Sequence, residues 1–201
     1  MQYIKHELGI CDYRRIRRTM RLFSLMRNNL TIDEIWALEH YPIITTGYKS
    51  NNKDILKYTS IPYVKTERGG MVTYHAPGQI VVYLLINIKR SKLRIKKVIL
   101  IIEKLLEMLL KKCDAMPEKS LYGRGIFIKR KKVASIGMKV FKGCTYHGFS
   151  LNIDVFLIPF KYINICGHKK LLATNLSNTA MRNKIILIPT LLLKKIYMLF
   201  R

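Results

Sequence analysis

Apolar residues recur at helical spacing in three segments of the chain, which predicts three helices. Apolar residues recur at helical spacing among many arginines over residues 12–28, which indicates a basic amphipathic helix. The same spacing, ending in lysines, predicts a second helix over Ile95–Lys112. A third helix is predicted over residues 190–199, directly after Pro189. The helices therefore lie near both ends and in the middle of the chain.

Strand patterns fill the segments between these helices. Residues 80–88 form a continuous apolar run, which is typical of a strand buried on both faces. Other strands are predicted at Tyr63–Lys65, Gly125–Ile128, 133–140 and 145–153. This order of elements predicts an α+β fold, with a mixed β-sheet flanked by helices in a single domain that spans residues 1–201.

Residues 29–46 carry conflicting signals. Thr31 and Glu34 have the spacing of a helix capping box, whereas the β-branched residues after Pro42 favour extended chain. We expect a strand here that ends in a turn at Gly47.

The charge balance is strongly basic, with 37 Lys+Arg against 12 Asp+Glu and a formal net charge of +25. Such a surface attracts polyanions such as nucleic acid, an anionic membrane or an acidic protein, although an AT-rich genome would also favour lysine. No helix-turn-helix, zinc-finger or RNA-recognition signature is present. Residues 98–110 and 185–200 are apolar but interrupted by charges or proline, and both are too short to span a membrane. A cytoplasmic protein is expected.

The four cysteines and five histidines show neither disulfide nor metal-ligand spacing. No C-x-x-C pair occurs, and the chain has enough apolar residues to form a core without disulfides. We therefore expect free thiols in a reducing compartment and no metal site.

Cys166 and Lys132 are candidates for chemistry, but spacing alone decides neither. Cys166 precedes Gly167, whose backbone N–H could point at a developing oxyanion, yet a lone cysteine is more often a small buried apolar residue. Lys132 could point inward and stabilise a thiolate, but its neighbours at 129–131 are also cationic and equally eligible. Arg68-Gly69-Gly70 is a weak phosphate-binding signal, and His75 could be purely structural.

Five motifs occur in the order found in the octanoyltransferases of lipoate biosynthesis, the LipB family, which the chain resembles from about residue 33 to residue 167. They lie at residues 38–47, 68–79, 132–137, 147–152 and 164–167. Each motif alone is weak, whereas the five in order are specific. Ile165 stands where the family usually has proline, and Ala76 where it often has glycine.

The resemblance implies a fold shared with biotin and lipoate protein ligases, and it implies site residues. Cys166 matches the acyl-thioester nucleophile, and Lys132 matches the lysine that lowers its pKa. The residues that match the substrate-binding stretches are Arg68, Gly69, Gly70, Met71, Val72, Thr73, Tyr74, His75, Ser135, Ile136, Gly137, Gly148, Phe149 and Ser150.

The implied reaction is that of a lipoyl(octanoyl) transferase. It moves an octanoyl group from octanoyl-acyl carrier protein to a lysine of the lipoyl domains of 2-oxoacid dehydrogenase complexes and of the glycine cleavage H protein. No cofactor is required beyond the phosphopantetheine of the carrier protein, and neither nucleic acid nor membrane is an expected partner. The alternatives are an ATP-dependent ligase of the same fold, weakly suggested by Gly123-Arg124-Gly125, and a basic nucleic-acid-binding module.

Overall fold

A six-stranded mixed sheet forms the centre of the computed structural model, which describes residues 3–118, 122–178 and 188–199. The strands are arranged in the order β1-β2-β6-β9-β8-β7. Strand β1 runs parallel to β2, and the other neighbours are antiparallel. Their bounds are Tyr3–Cys11 (β1), Asp33–His40 (β2), Gln79–Leu85 (β6), Gly125–Ile128 (β7), Lys131–Phe141 (β8) and Cys144–Asn152 (β9).

A second, three-stranded sheet lies beside the first. Its strands are Ile43–Thr46 (β3), Tyr63–Lys65 (β4) and Thr73–His75 (β5), in the order β4-β3-β5. Strand β5 leads within a few residues into β6 of the large sheet. The small sheet thereby fixes the position of the glycine-rich loop that precedes β5.

Helices cover both faces of the large sheet. Helix α1, Tyr13–Met26, begins after Asp12, whose carboxylate accepts a hydrogen bond of 2.8 Å from the backbone N–H of Arg15. It buries Ile16 and Met20 against one face. Helices α2, Ile95–Lys112, and α3, Ile188–Leu199, bury their apolar sides against the opposite face.

The predicted fold class is confirmed, and α2 has the predicted bounds. The ambiguous segment 29–46 contains two strands, β2 and β3, and no helix begins at Thr31. Strand β1 was not predicted, because it is an edge strand whose side chains are mostly exposed and show no apolar face.

No helix among the described residues is long and apolar enough to cross a membrane, and residues 185–187 and 200 of the apolar stretch 185–200 lie outside them. All four cysteines carry free thiols.

Candidate active site

Cys166 and Lys132 meet although they are 34 positions apart in the sequence. Lys132 lies at the start of β8, and its Nζ is 2.8 Å from Sγ of Cys166. The lysine side chain is buried, with its ammonium group 5.8 Å from the centre of the Phe127 ring. A positive charge at this distance favours the thiolate form of a cysteine, which is the nucleophilic form.

The turn at Ile165–Gly167 holds Cys166 in a left-handed backbone conformation, with φ 54° and ψ 23°. The N–H of Gly167 donates to the carbonyl of Asn164, at 3.0 Å. That N–H is therefore unavailable to an oxyanion, contrary to the possibility raised by the sequence. Ile165 is buried in an apolar cluster and anchors the turn.

Asn164 ties this turn to the segment around Asp54. Its N–H donates to the carbonyl of Asp54 at 2.8 Å, and its side-chain amide donates to the carbonyl of Lys53 at 3.0 Å. Asp54 in turn caps the short helix Asn52–Asp54 by accepting the N–H of Asn51. The strained backbone of Cys166 is thus held by a hydrogen-bonded frame on the N-terminal side of the turn.

Gly125 of the Gly123-Arg124-Gly125 segment makes room for Lys132, which forms a dyad with Cys166. A Cβ at Gly125 would lie 2.8 Å from Cε of Lys132 and 2.3 Å from the carbonyl oxygen of Ala134. A Cβ at Gly123 would lie 3.7 Å from Sγ of Cys166. The segment that weakly suggested a nucleotide loop therefore packs around the lysine and the cysteine.

A cavity of about 510 Å³ extends from the dyad between the large sheet and the loop that precedes β5. On β8 and β9 its floor carries only small side chains, because Ser135 pairs with Ser150 and Gly137 pairs with Gly148. Its volume falls in the range of small-molecule sites. Both Cys166 and Lys132 line this cavity, which is called the slot below, so the thiol and the ammonium group face the same space.

All but one of the predicted substrate-binding residues line this cavity. The exception is Tyr74, whose ring lies in a separate core cluster against Phe160, with ring centres 5.4 Å apart. Neighbouring residues of a strand point to opposite faces, so Tyr74 points away from the slot reached by Thr73 and His75. The cavity is also lined by residues outside the predicted set: Tyr13, Lys49, Val81, Tyr83, Ile99, Tyr122, Gly123, Arg124, Met138 and His147.

The sequence matches the lipoyl protein ligase A/B catalytic domain family over residues 14–190. It is 41% identical over 175 residues to the octanoyltransferase of Legionella pneumophila (strain Corby), covering 87% of this chain and 88% of that protein. This chain belongs to the octanoyltransferase family. An octanoyltransferase of Chromobacterium violaceum is 39% identical over 175 residues, covering 87% of this chain and 84% of that protein. The family makes the chain an acyltransferase.

Solved structures of several protein ligases share the fold of this chain. A lipoate-protein ligase A bound with ATP gives a TM-score of 0.75 at 12% identity, over 96% of this chain and 83% of that chain. A bipartite lipoate protein ligase from Thermoplasma acidophilum gives 0.73 at 11% identity, over 96% and 82%. The biotin protein ligase of Aquifex aeolicus gives 0.52 at 13% identity, over 99% and 68%. At these identities the likeness concerns the fold alone.

The end of the cavity remote from Cys166 is polar in this octanoyltransferase-family chain. Arg68 is buried there and donates to the carbonyl and the hydroxyl of Thr45, at 2.8 and 2.9 Å. Burial, together with the charges of Arg68 and other neighbours, lowers the pKa of His75 to about 3, and burial lowers that of His147 to about 3. Both imidazoles are therefore neutral at physiological pH, and Arg68 is the cation of this end.

His147 belongs to one of the five family motifs but is not among the predicted site residues. Its φ of 60° interrupts β9, in which a regular strand residue would have negative φ. No sequence pattern signals this irregularity. Tyr13 enters the cavity from α1 and has no motif of its own.

Proposed function

We propose that this chain transfers an octanoyl group from octanoyl-acyl carrier protein to a lysine of a lipoyl domain, through a thioester on Cys166. The observation that carries the proposal is the 2.8 Å contact between Nζ of Lys132 and Sγ of Cys166, both of which line the slot. An ion pair supplies the nucleophile, and the slot has room for an acyl chain.

In the first half-reaction, the Cys166 thiolate attacks the thioester carbonyl of octanoyl-phosphopantetheine. A new carbon–sulfur bond to Cys166 forms, the bond to the pantetheine sulfur breaks, and the departing thiolate takes a proton from the Lys132 ammonium group. One thioester replaces another, so the step is nearly thermoneutral and needs no ATP. Lys132 is left neutral beside the acylated cysteine.

In the second half-reaction, the amine of the acceptor lysine attacks the Cys166 thioester. The amide bond forms, the Cys166 thiolate leaves, and neutral Lys132 takes the proton released by the amine. The conversion of a thioester to an amide is downhill and drives transfer. The thiolate–ammonium pair is restored, and the two substrates are used in turn, in a ping-pong sequence.

The basic surface suits the proposed carrier. Lys49 and Arg124 are exposed and line the cavity, where they can meet an acidic protein and the phosphate of its prosthetic arm. The acceptors are lipoyl domains, such as those of 2-oxoacid dehydrogenase complexes and the glycine cleavage H protein. The proposal requires no cofactor, nucleic acid or membrane and places the reaction in the cytoplasm.

Intact mass after incubation with octanoyl-acyl carrier protein, without ATP, tests this function. We expect a single octanoyl adduct that disappears in Cys166→Ser. Cys11→Ser is the matched control, because Cys11 is the other partly exposed cysteine and lies outside the cavity. Absence of an adduct, together with lysine modification that requires octanoate and ATP, would refute the proposal in favour of a ligase.

A further inference from the structure

At the end of the slot remote from Cys166, the loop that precedes β5 contacts strand β8 and closes the slot. The N–H of Gly69 donates to the carbonyl of Met138 on β8, at 2.9 Å. A Cβ at Gly137 would lie 2.9 Å from the carbonyl oxygen of Gly69 and 3.3 Å from Cδ of Arg68. A chain that enters the slot from Cys166 therefore meets backbone and the Arg68 side chain at this level.

The closed end has polar atoms that lack hydrogen bonds. Neither ring nitrogen of His147 has a hydrogen-bond partner among the described residues, although the residue is only 1% exposed. Its Nε2 is 4.0 Å from a carboxylate oxygen of Glu67, which is too long for a hydrogen bond. Nε of Arg68 is likewise unpaired, and no carboxylate of the described chain forms an ion pair with this guanidinium group.

The register of the strands gives the depth of the slot. Cε of Lys132 lies beside Gly125, which pairs with Ser135. Sγ of Cys166, which accepts a hydrogen bond from this lysine, therefore lies near the level of Ser135. Along β8, Gly137 beside Arg68 lies two residues beyond Ser135, or about 7 Å, and Met138, which pairs with His147, lies three residues beyond it, or about 10 Å. An extended octanoyl chain on a sulfur atom also spans about 10 Å, from bonds of about 1.5 Å in zigzag.

We propose that Arg68 and His147 form a polar end wall that limits the acyl chain to about eight carbons. This inference rests on the proposed function. Carbons beyond the eighth would have to lie against the unpaired Nε of Arg68 and the unpaired ring nitrogens of His147. They would gain no favourable burial and would keep those polar atoms without partners. We expect the preference for C8 over C10 to be about tenfold or more.

Acylation of Cys166 by N-acetylcysteamine thioesters of six, eight, ten and twelve carbons, followed by intact mass, measures the limit without a carrier protein. The wild-type rate should rise from C6 to C8 and fall about tenfold at C10. In His147→Gly the ratio of the C10 rate to the C8 rate should rise about tenfold, because the ring is removed. Glycine is chosen because it adopts the φ of 60° at this position without strain.

His40→Gln is the matched control. His40 is also buried, but its ring nitrogens contact the carbonyl of Cys11 and the hydroxyl of Tyr83, at 2.9 and 2.7 Å, and it does not line the cavity. Its chain-length profile should match the wild type. Thermal unfolding identifies a misfolded variant, and His147→Asn, which keeps a small polar side chain, then replaces His147→Gly.

Two results would overturn the end wall. One is a wild-type acylation rate that does not fall between C8 and C12, and the other is a folded His147→Gly variant with the same chain-length profile as the wild type. Methanethiosulfonates with n-alkyl chains of the same lengths test the wall without acyl transfer. They form a disulfide with Cys166 and release methanesulfinate. A length limit with these reagents, combined with no acylation by any thioester, would overturn the proposed function while supporting the wall.

Discussion

The left-handed conformation of Cys166 predicts an unusual order of stability among its variants. With φ at 54°, any side chain at this position is strained, and the surrounding turn must offset that strain. Replacing Cys166 with alanine removes the thiol but keeps the strained Cβ. Replacing it with glycine removes both. We therefore expect Cys166→Gly to be more stable than Cys166→Ala.

The magnitude follows from two opposing contributions. A residue with a Cβ in the left-handed region costs roughly 1–2 kcal/mol relative to the right-handed one. Glycine escapes this cost but loses roughly 0.5–1 kcal/mol more backbone entropy on folding than alanine. The difference favours Cys166→Gly by about 0.7 kcal/mol, or about 2 °C in Tm for a chain of this size. Both variants leave the Lys132 ammonium group without its thiolate, so that loss cancels in the comparison.

Urea unfolding of the two variants at pH 7 measures this difference. The matched pair is Thr19→Gly and Thr19→Ala on the exposed side of α1, where glycine should be the less stable by about 1 kcal/mol. The two sites should thus give opposite signs. If Cys166→Gly is less stable than Cys166→Ala by the same amount as at Thr19, the nucleophile is not strained in solution.

Three further predictions concern the dyad, pH and the sheet. Lys132→Met should lower the rate of Cys166 alkylation by iodoacetamide at pH 7 on the order of tenfold, since an ordinary cysteine is only a few per cent thiolate there; an unchanged rate would remove the lysine from the mechanism. Burial lowers the pKa of His40 to about 4 and of His147 to about 3, so each takes up a proton only on unfolding. The stability they contribute should be complete above pH 6.5 and fall towards pH 4 by about 1.4 kcal/mol per histidine per pH unit; equal urea midpoints at pH 7 and pH 5 would contradict this. Gly148→Ala would place its Cβ 2.0 Å from a backbone oxygen of β6, so its urea midpoint should fall by the equivalent of about 2 kcal/mol, and wild-type stability would refute that packing.

Elements with a strong repeating pattern were predictable from the sequence. Helix α2 has an apolar side and a lysine-rich end, and its predicted and observed bounds coincide. Strand β1 has no such pattern, because an edge strand with exposed side chains places no periodic demand on its sequence. The segment 29–46 was correctly expected to be extended, although as two strands rather than one, and its capping-box spacing does not start a helix.

The candidate site was predictable only through the family motifs. No spacing rule could select Lys132 over its cationic neighbours, because the choice depends on a bridge between β8 and the segment around Ala173. Tyr74 contacts the core because of which face of its strand it lies on. His147 reaches the cavity at a position where the strand backbone has a positive φ. Such features arise from tertiary packing, which a local pattern does not encode.

A two-stage transfer tests the central claim most directly. The enzyme is first acylated with octanoyl-acyl carrier protein, freed of the carrier by gel filtration, and then mixed with an apo lipoyl domain in the absence of ATP. We predict that the octanoyl group leaves Cys166 and appears on the lipoyl-domain lysine in equal amount, at least as fast as steady-state turnover. An acylated Cys166 that fails to pass its group to the lysine would contradict the account.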